Sequence, residues 1–256
     1  MTIQEMREKK KEKGYSYAQI AELSGVPLGT VQKVFTGETT NPRYDTLLAL
    51  ENLFSEPGMV GENQPVYGER KQGSYTLEDY YSLPDEERVE LIDGVIYVME
   101  APTQVHQLIT GEMYRQIANF IYDNEGECIP LISPFDVQLD CDEKTMVQPD
   151  VGVLCDRDKF KKKVIYGAPD FVLEVLSPST RRKDGTTKLS KYCSAGVREY
   201  WLIDPDRKKL VVYDFENDQL PVIYGMDKPV PLTIFGGKLE INFERMLSWM
   251  DMEIEE

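Results

Sequence analysis

One histidine, His106, is all that the 256 residues contain, and the four cysteines (Cys128, Cys141, Cys155, Cys193) lie far apart with no CxxC pair. That supply argues against a zinc site, and scattered reduced thiols in the cytoplasm are the expectation. Long apolar runs are missing too. No stretch approaches the roughly 18 apolar residues of a membrane span, so no membrane partner is expected. The amino terminus, "MTIQEMREKKKEKG", has no apolar core behind its charges and does not read as a secretion signal, which again points to the cytoplasm. Basic residues are scarce: 29 Lys and Arg against 45 Asp and Glu, a net charge of −16. At first sight this argues against nucleic acid, whose phosphates want cations. The deficit is uneven, however. The first sixty residues hold seven basic and eight acidic side chains, leaving 22 and 37 for the rest. Basic clusters survive inside the acidic part, "KFKKK" at Lys159–Lys163 and "RRK" at Arg181–Lys183. Binding depends on such local patches more than on the total.

What is present suffices for one good-sized core and a small second unit, with 41% hydrophobic residues. Residues 1–54 read as helices joined by tight turns. Met6, Tyr17, Ile20, Ala21, Leu23, Val26, Val31, Val34, Leu47, Leu48 and Leu50 fall at helical spacing. In "SYAQIAELSGVPLGTVQKVFTGETTNP", Ser16 can cap a helix ending near Ser24 and Gly25 supplies a turn. Pro27 then precedes a second helix reaching about Phe35. Two short helices around a glycine turn form a helix-turn-helix. This stretch resembles the repressor-type (Cro/C1-like) helix-turn-helix family. The resemblance implies that Gln19 touches phosphate while Thr30, Gln32 and Lys33 face bases in the major groove. A homodimer reading two half-sites is the matching expectation. Residues 55–74, rich in Gly, Pro and polar side chains, read as a linker.

From residue 75 to 256 the pattern turns mixed α/β. "RVELIDGVIYVME" is two strands around an Asp93-Gly94 turn. "HQLITGEMYRQIANFIYDN" is an amphipathic helix, and "CIPLISPFDVQLD", "MVQPDVGVLCD" and "PDFVLEVLSPS" read as three strands. "DGTTKLSKYCSAGV" reads as a helix stopped by Gly196, and "EYWLID" and "KLVVYDF" as the strands that follow. The β–α–β order from Asp170 to Asp204 predicts parallel strands joined by a crossover. The fold class expected is thus an α/β core with a mixed sheet flanked by helices, behind a small all-α domain.

Within "DFVLEVLSPS", Glu174 interrupts a run of apolar, β-prone residues. An unpaired carboxylate there would cost several kcal/mol or take up a proton. It faces a cation: either a Lys or Arg in an ion pair, or a metal. Asp150, after Pro149, opens another apolar strand, and Lys188 lies on the helix after Glu174. If the two strands are neighbours, the two carboxylates can converge around a hard divalent ion such as Mg2+ (or Mn2+), with the lysine beside it. Two acids and a lysine around such a metal suffice to hydrolyse a phosphodiester.

The segments "VELIDGVIYVME", "VQPDVGVLCD", "FVLEVLSPSTRRKDGTTKLSKY" and "GVREYWLIDP" resemble the Uma-type restriction endonuclease family, a branch of the PD-(D/E)XK nuclease superfamily. The resemblance implies a restriction-endonuclease-like core, with Asp150 as the PD acid, Glu174 as the second acid and Glu90 as an acid from the first part of the core. It departs from the superfamily at Leu176, where the consensus places lysine. Lys188 on the next helix stands in for it, with Lys191 close by. His106 opens the helix after the hairpin, where the family also shows a histidine, and so joins the candidate site. Tyr192, one turn after Lys188, reads as packing.

The reading is a cytoplasmic metal-dependent DNA endonuclease directed by a helix-turn-helix. The rivals are a DNA-binding transcriptional regulator whose nuclease-like domain is inactive, and a nuclease whose helix-turn-helix docks protein.

Overall fold

The computed structural model describes residues 3–39, 42, 44–54, 72–84 and 87–251. Four helices come first: α1 (Ile3–Lys13), α2 (Tyr17–Ser24), α3 (Leu28–Thr36) and α4 (Tyr44–Phe54). Ser16 starts α2 through a reciprocal capping box. The Gln19 N–H donates to Ser16 Oγ (3.2 Å), and the Ser16 N–H donates to Gln19 Oε1 (2.9 Å). Gly25 then takes φ 70, the left-handed turn that a side chain disfavours. Met6, Ile20, Val26, Val31, Val34, Phe35, Leu50 and Phe54 bury their side chains together. Leu23, expected inside, is 59% exposed. Tyr17, Ile20, Ala21 and Ser24 set the inward stripe of α2, and at about 100° per residue Leu23 falls well to one side of it.

The chain divides into two compact units, Met1–Glu62 and Asn63–Glu256. Most of the expected linker, residues 55–71, and the tail 252–256 lie outside the described residues. Gln72 and Gly73, assigned to the linker by composition, belong to the second unit. The Ile96 N–H donates to Gln72 Oε1 (3.1 Å), and the Gly73 N–H to Gly94 O (2.8 Å).

The second unit runs α5 (Leu77–Tyr81), β1 (Val89–Ile92), β2 (Val95–Val98), α6 (Gln104–Asp123), β3 (Ile129–Ile132), β4 (Val137–Gln138) and β5 (Val151–Leu154). It continues with β6 (Ile165–Tyr166), β7 (Phe171–Val175), α7 (Leu189–Ala195), β8 (Glu199–Asp204), β9 (Lys209–Asp214) and β10 (Val222–Gly225). β11 (Val230–Leu232), β12 (Leu239–Ile241) and α8 (Glu244–Met250) close it. Six strands form the main sheet in the order β10-β9-β8-β7-β5-β3. Within this sheet only β7 and β8 pair in parallel, and the crossover between them carries a π-helical turn, Lys183–Lys188, running into α7. That is the mixed sheet flanked by helices which the β–α–β pattern predicted.

Strand alternation sorts β7 between two faces. Phe171, Leu173 and Val175 join Ile109, Met113 and Ile117 of α6 in the main core. Val172 and Glu174 therefore point to the other face, where Tyr192 of α7 packs 4.9 Å from Tyr200. The β1–β2 hairpin turns as predicted, with Asp93 at φ 51 and Gly94 at φ 74. A Cβ on Gly94 would lie 2.6 Å from Gly73 O, so glycine is required there.

Two expectations need correction. The single strand foreseen across "CIPLISPFDVQLD" is two, β3 and β4, because Pro134 offers no N–H to a ladder. The four thiols are also not all reduced. β3 runs antiparallel to β5 with Ile129 opposite Leu154, and this brings Cys128 and Cys155 face to face, joined as a disulfide. Cys141 and Cys193 are free and exposed. No described helix is long and apolar enough to cross a membrane.

Candidate active site

Strands β5 and β7 are neighbours, with Val151 opposite Leu173. Asp150 therefore enters the sheet beside the end of β7, and its Oδ2 accepts the Val175 N–H at 2.7 Å. His106 sits in the first turn of α6, where Thr103 Oγ1 caps the helix by accepting the His106 N–H (3.2 Å). Its Nε2 lies 3.0 Å from the same Asp150 Oδ2, and its Nδ1 lies 3.4 Å from Thr110 Oγ1.

Glu174 shares its Oε1 between the Lys188 ammonium and the Tyr192 hydroxyl, which donates at 2.8 Å. Lys188 is buried and also donates to Glu90 Oε1 at 2.7 Å, with Asp184 Oδ1 3.9 Å away. Glu90, fully buried on β1, receives a second ammonium from Lys183 (2.5 Å) and the Gln148 backbone N–H (3.0 Å). Five elements thus converge: β1, the approach to β5, β7, the π-helical turn and α6. The Lys188 ammonium joins Glu174 to Glu90, and the Asp150–His106 pair meets them at the Val175 N–H, next to Glu174. Lys191 is elsewhere, pairing with Asp93 and Asp140 at 2.5 Å each.

Burial works to raise the Glu90 pKa, yet Lys183 and Lys188 outweigh it and hold the carboxyl at about 2. Burial also opposes charge on Lys188. Glu174, Glu90 and Asp184 together overcome it, so its pKa lies well above the usual lysine value. Lys188 is therefore an ammonium, suited to steadying negative charge and unsuited to acting as a base. Glu174 goes the other way. Burial first, then the charges of Asp184, Asp150 and Glu90, push it well above the ordinary carboxylate range against the pull of Lys188.

The donor set bears on a metal. Among the described residues, no group of three or more His, Cys, Asp or Glu side chains could enclose an ion. Asp150 and Glu174, however, each commit one oxygen to the protein and leave the other, Oδ1 and Oε2, without a hydrogen-bond partner among the described residues. Mg2+ is commonly held by one or two carboxylates together with waters and substrate phosphates. The pair fits that arrangement.

Three members of the cluster escaped the sequence. Tyr192, read as packing, is buried and also holds Glu174. Lys183, read with Arg181 and Arg182 as a basic run, is spent on Glu90, and Arg181 on Asp204 and Asp206. Asp184 could have been found from its i,i+4 spacing to Lys188. In the first unit, Gln32 and Lys33 of α3 are exposed, and Thr30 is half-buried at the edge of the face that Val31, Val34 and Phe35 bury. The exposed Gln19 has its Oε1 engaged by Ser16.

Residues 77–243 match the model of the Uma2 family, described as "Putative restriction endonuclease", and residues 3–57 match one described as "Helix-turn-helix". "Uncharacterized protein slr1290" of Synechocystis is 28% identical over 133 residues, which span 52% of this chain and 68% of that protein. A crystal structure of a "putative nuclease belonging to DUF820" from Anabaena variabilis superposes with a TM-score of 0.57 at 23% identity. The match covers 68% of this chain and 98% of that one. This likeness establishes the nuclease-like fold.

Proposed function

The chain belongs to the Uma2 family and carries a helix-turn-helix ahead of that domain, and on this premise we propose a metal-dependent DNA endonuclease directed to DNA by its first unit. One observation carries the proposal: Asp150 and Glu174, at the ends of neighbouring strands, each keep one oxygen uncommitted among the described residues, and Glu174 also pairs with the Lys188 ammonium. Asp150 and Glu174 would hold Mg2+ or Mn2+, which when bound supplies Lewis acidity and a more acidic water for phosphodiester hydrolysis. The Val175 N–H and His106 fix Asp150, while Tyr192 and Lys188 fix Glu174. Lys188 keeps one N–H beyond its bonds to Glu90 and Glu174, available to a phosphate oxygen or the attacking water. Glu90 acts through Lys188, by holding it charged and in place.

The decisive experiment incubates the full-length protein with supercoiled plasmid, with and without Mg2+ or Mn2+. Nicking or linearisation only with metal is expected. Metal should also stabilise the fold, by about 2.7 kcal/mol at a hundredfold excess over its dissociation constant, and Glu174→Gln should remove that gain. Absence of cleavage with either metal, together with intact DNA binding, would identify a DNA-binding regulator instead.

On the first unit, Thr30, Gln32 and Lys33 would face bases and Gln19 a phosphate. Duplex binding by the full-length protein should weaken with salt, and Lys33→Glu should reduce it severalfold. Binding indifferent to both salt and Lys33→Glu would point to a protein-docking helix-turn-helix.

A further inference from the structure

Between β5 and β7 the acidic character of the second unit reverses. Residues 156–163 hold Arg157, Lys159, Lys161, Lys162 and Lys163 against Asp156 and Asp158, in a stretch of chain (61–256) with 37 acidic and 22 basic residues. Many cations elsewhere in the unit are matched with acids: Lys183, Lys188, Lys191, Arg181, Arg198 and Arg115 all sit in ion pairs. Arg157 and Lys159 are tied to the backbone carbonyls of Glu127 (2.9 Å) and Ala168 (3.0 Å). Lys161, Lys162 and Lys163 differ. All three are exposed, and none has a side-chain hydrogen bond or ion pair among the described residues.

Geometry concentrates them. Phe160 pairs with Ile165 across an antiparallel bridge, and the Lys161 N–H donates to Val164 O at 3.0 Å. The three lysines therefore form the tip of a tight hairpin. Two aromatic rings flank it, Phe160 at 51% exposure and Tyr166 at 43%. The hairpin is also tied to the wall of the candidate site. β6 lies alongside β4, and the Ile165 N–H donates to Asp136 O (2.8 Å). Asp136 Oδ1 accepts Gln148 Nε2 (2.9 Å), and the Gln148 N–H holds Glu90.

Three adjacent like charges repel one another, and nothing described in the fold offsets them. A run of phosphates would, and exposed rings beside such a run offer faces to sugars and bases. We propose that the hairpin Phe160–Tyr166 is a nucleic-acid-binding element, with Lys161–Lys163 on backbone phosphates and Phe160 and Tyr166 against unstacked nucleotides. It is separate from the helix-turn-helix. It extends the endonuclease reading, on which the identity of its ligand as substrate rests. An acidic polypeptide would also match the lysines, and competition by polyglutamate distinguishes it.

The test measures binding of the full-length protein to a mixed-sequence duplex and to a single strand by fluorescence anisotropy, in EDTA, across a salt series. The triple variant Lys161→Gln/Lys162→Gln/Lys163→Gln should flatten the slope of log K against log salt by about 2–3 for the duplex. Its melting temperature should not move. Phe160→Ala/Tyr166→Ala should weaken single-strand binding by about fivefold or more per ring and duplex binding less. An unchanged slope in a folded triple variant would overturn the proposal. So would polyglutamate competing as well as the oligonucleotides do, which would assign the hairpin to an acidic protein partner. Since EDTA removes cleavage from the measurement, a wild type that never cuts plasmid but shows the slope change would refute the endonuclease alone.

Discussion

Replacing Glu90 by Gln should destabilise the second unit by about 3–5 kcal/mol, the usual cost of stranding buried charge. Glu90 is fully buried and is the acid that Lys183 and Lys188 share. Its pKa, held at about 2 against an ordinary 4.5, corresponds to about 3 kcal/mol of preference for the charged form. Because that pKa is depressed, the stabilisation is complete above pH 4.5 and is lost as pH falls toward 2. Glu174→Gln should behave differently. Lys188 would keep Glu90 as its counter-charge, and the carboxylate removed is one that burial and three neighbouring acids already disfavour. We expect a cost under about 1.5 kcal/mol, within the range of ordinary substitutions. Urea melts of both variants at pH 7, and of the wild type from pH 7 to pH 2.5, measure these values. Equal destabilisation by the two substitutions would show that Glu90 does not anchor the lysines.

Asp150→Asn should cut metal-dependent cleavage by about a hundredfold to a thousandfold, the scale on which removal of one transition-state contact is felt in a preorganised site. Asn keeps the size of the side chain and an oxygen for the Val175 N–H, now 2.7 Å from Oδ2. The substitution removes the charge and with it the attraction for a divalent cation. Lys191→Met serves as the contrast. It breaks pairs with Asp93 and Asp140 away from the acids and should leave cleavage within severalfold. If Lys191→Met abolished cleavage while Asp150→Asn spared it, the site assignment would fail.

Much of this architecture was legible because its signals are local. The Asp93-Gly94 turn demands φ above zero, Ser16 and Gln19 sit at capping-box spacing, and the apolar period of α6 names its inward face. The places of Glu174 inside a buried strand and of Asp150 at the opening of its neighbour were legible from a different kind of signal, a charge within or beside an apolar run. What stayed hidden depends on contacts far apart in sequence. Whether Glu174 meets a metal or a lysine cannot be read from "FVLEVL", and the structure gives it Lys188 and Tyr192 on one oxygen while leaving the other uncommitted. The cysteine pair was equally unreadable, because it depends on the register of β3 against β5. The reach of Lys183 to Glu90 crosses 93 residues, beyond any pattern in "RRK".

That reach has a consequence for how the protein comes into being. Glu90 is made early in synthesis, and the ammonium groups that permit its burial follow 93 and 98 residues later. Until the crossover after β7 exists and has folded back, Glu90 must stay in water or take up a proton, because closing β1 over it would otherwise enclose a bare charge. The acids and the lysine also belong to different parts of the architecture, strands on one side and a helical turn on the other. A nascent chain, or one whose crossover has come loose, therefore carries the carboxylates without the ammonium and cannot assemble the cluster in part. The cluster is thus a property of the folded second unit, and no stretch of it that lacks either β1 or the crossover can hold the cluster.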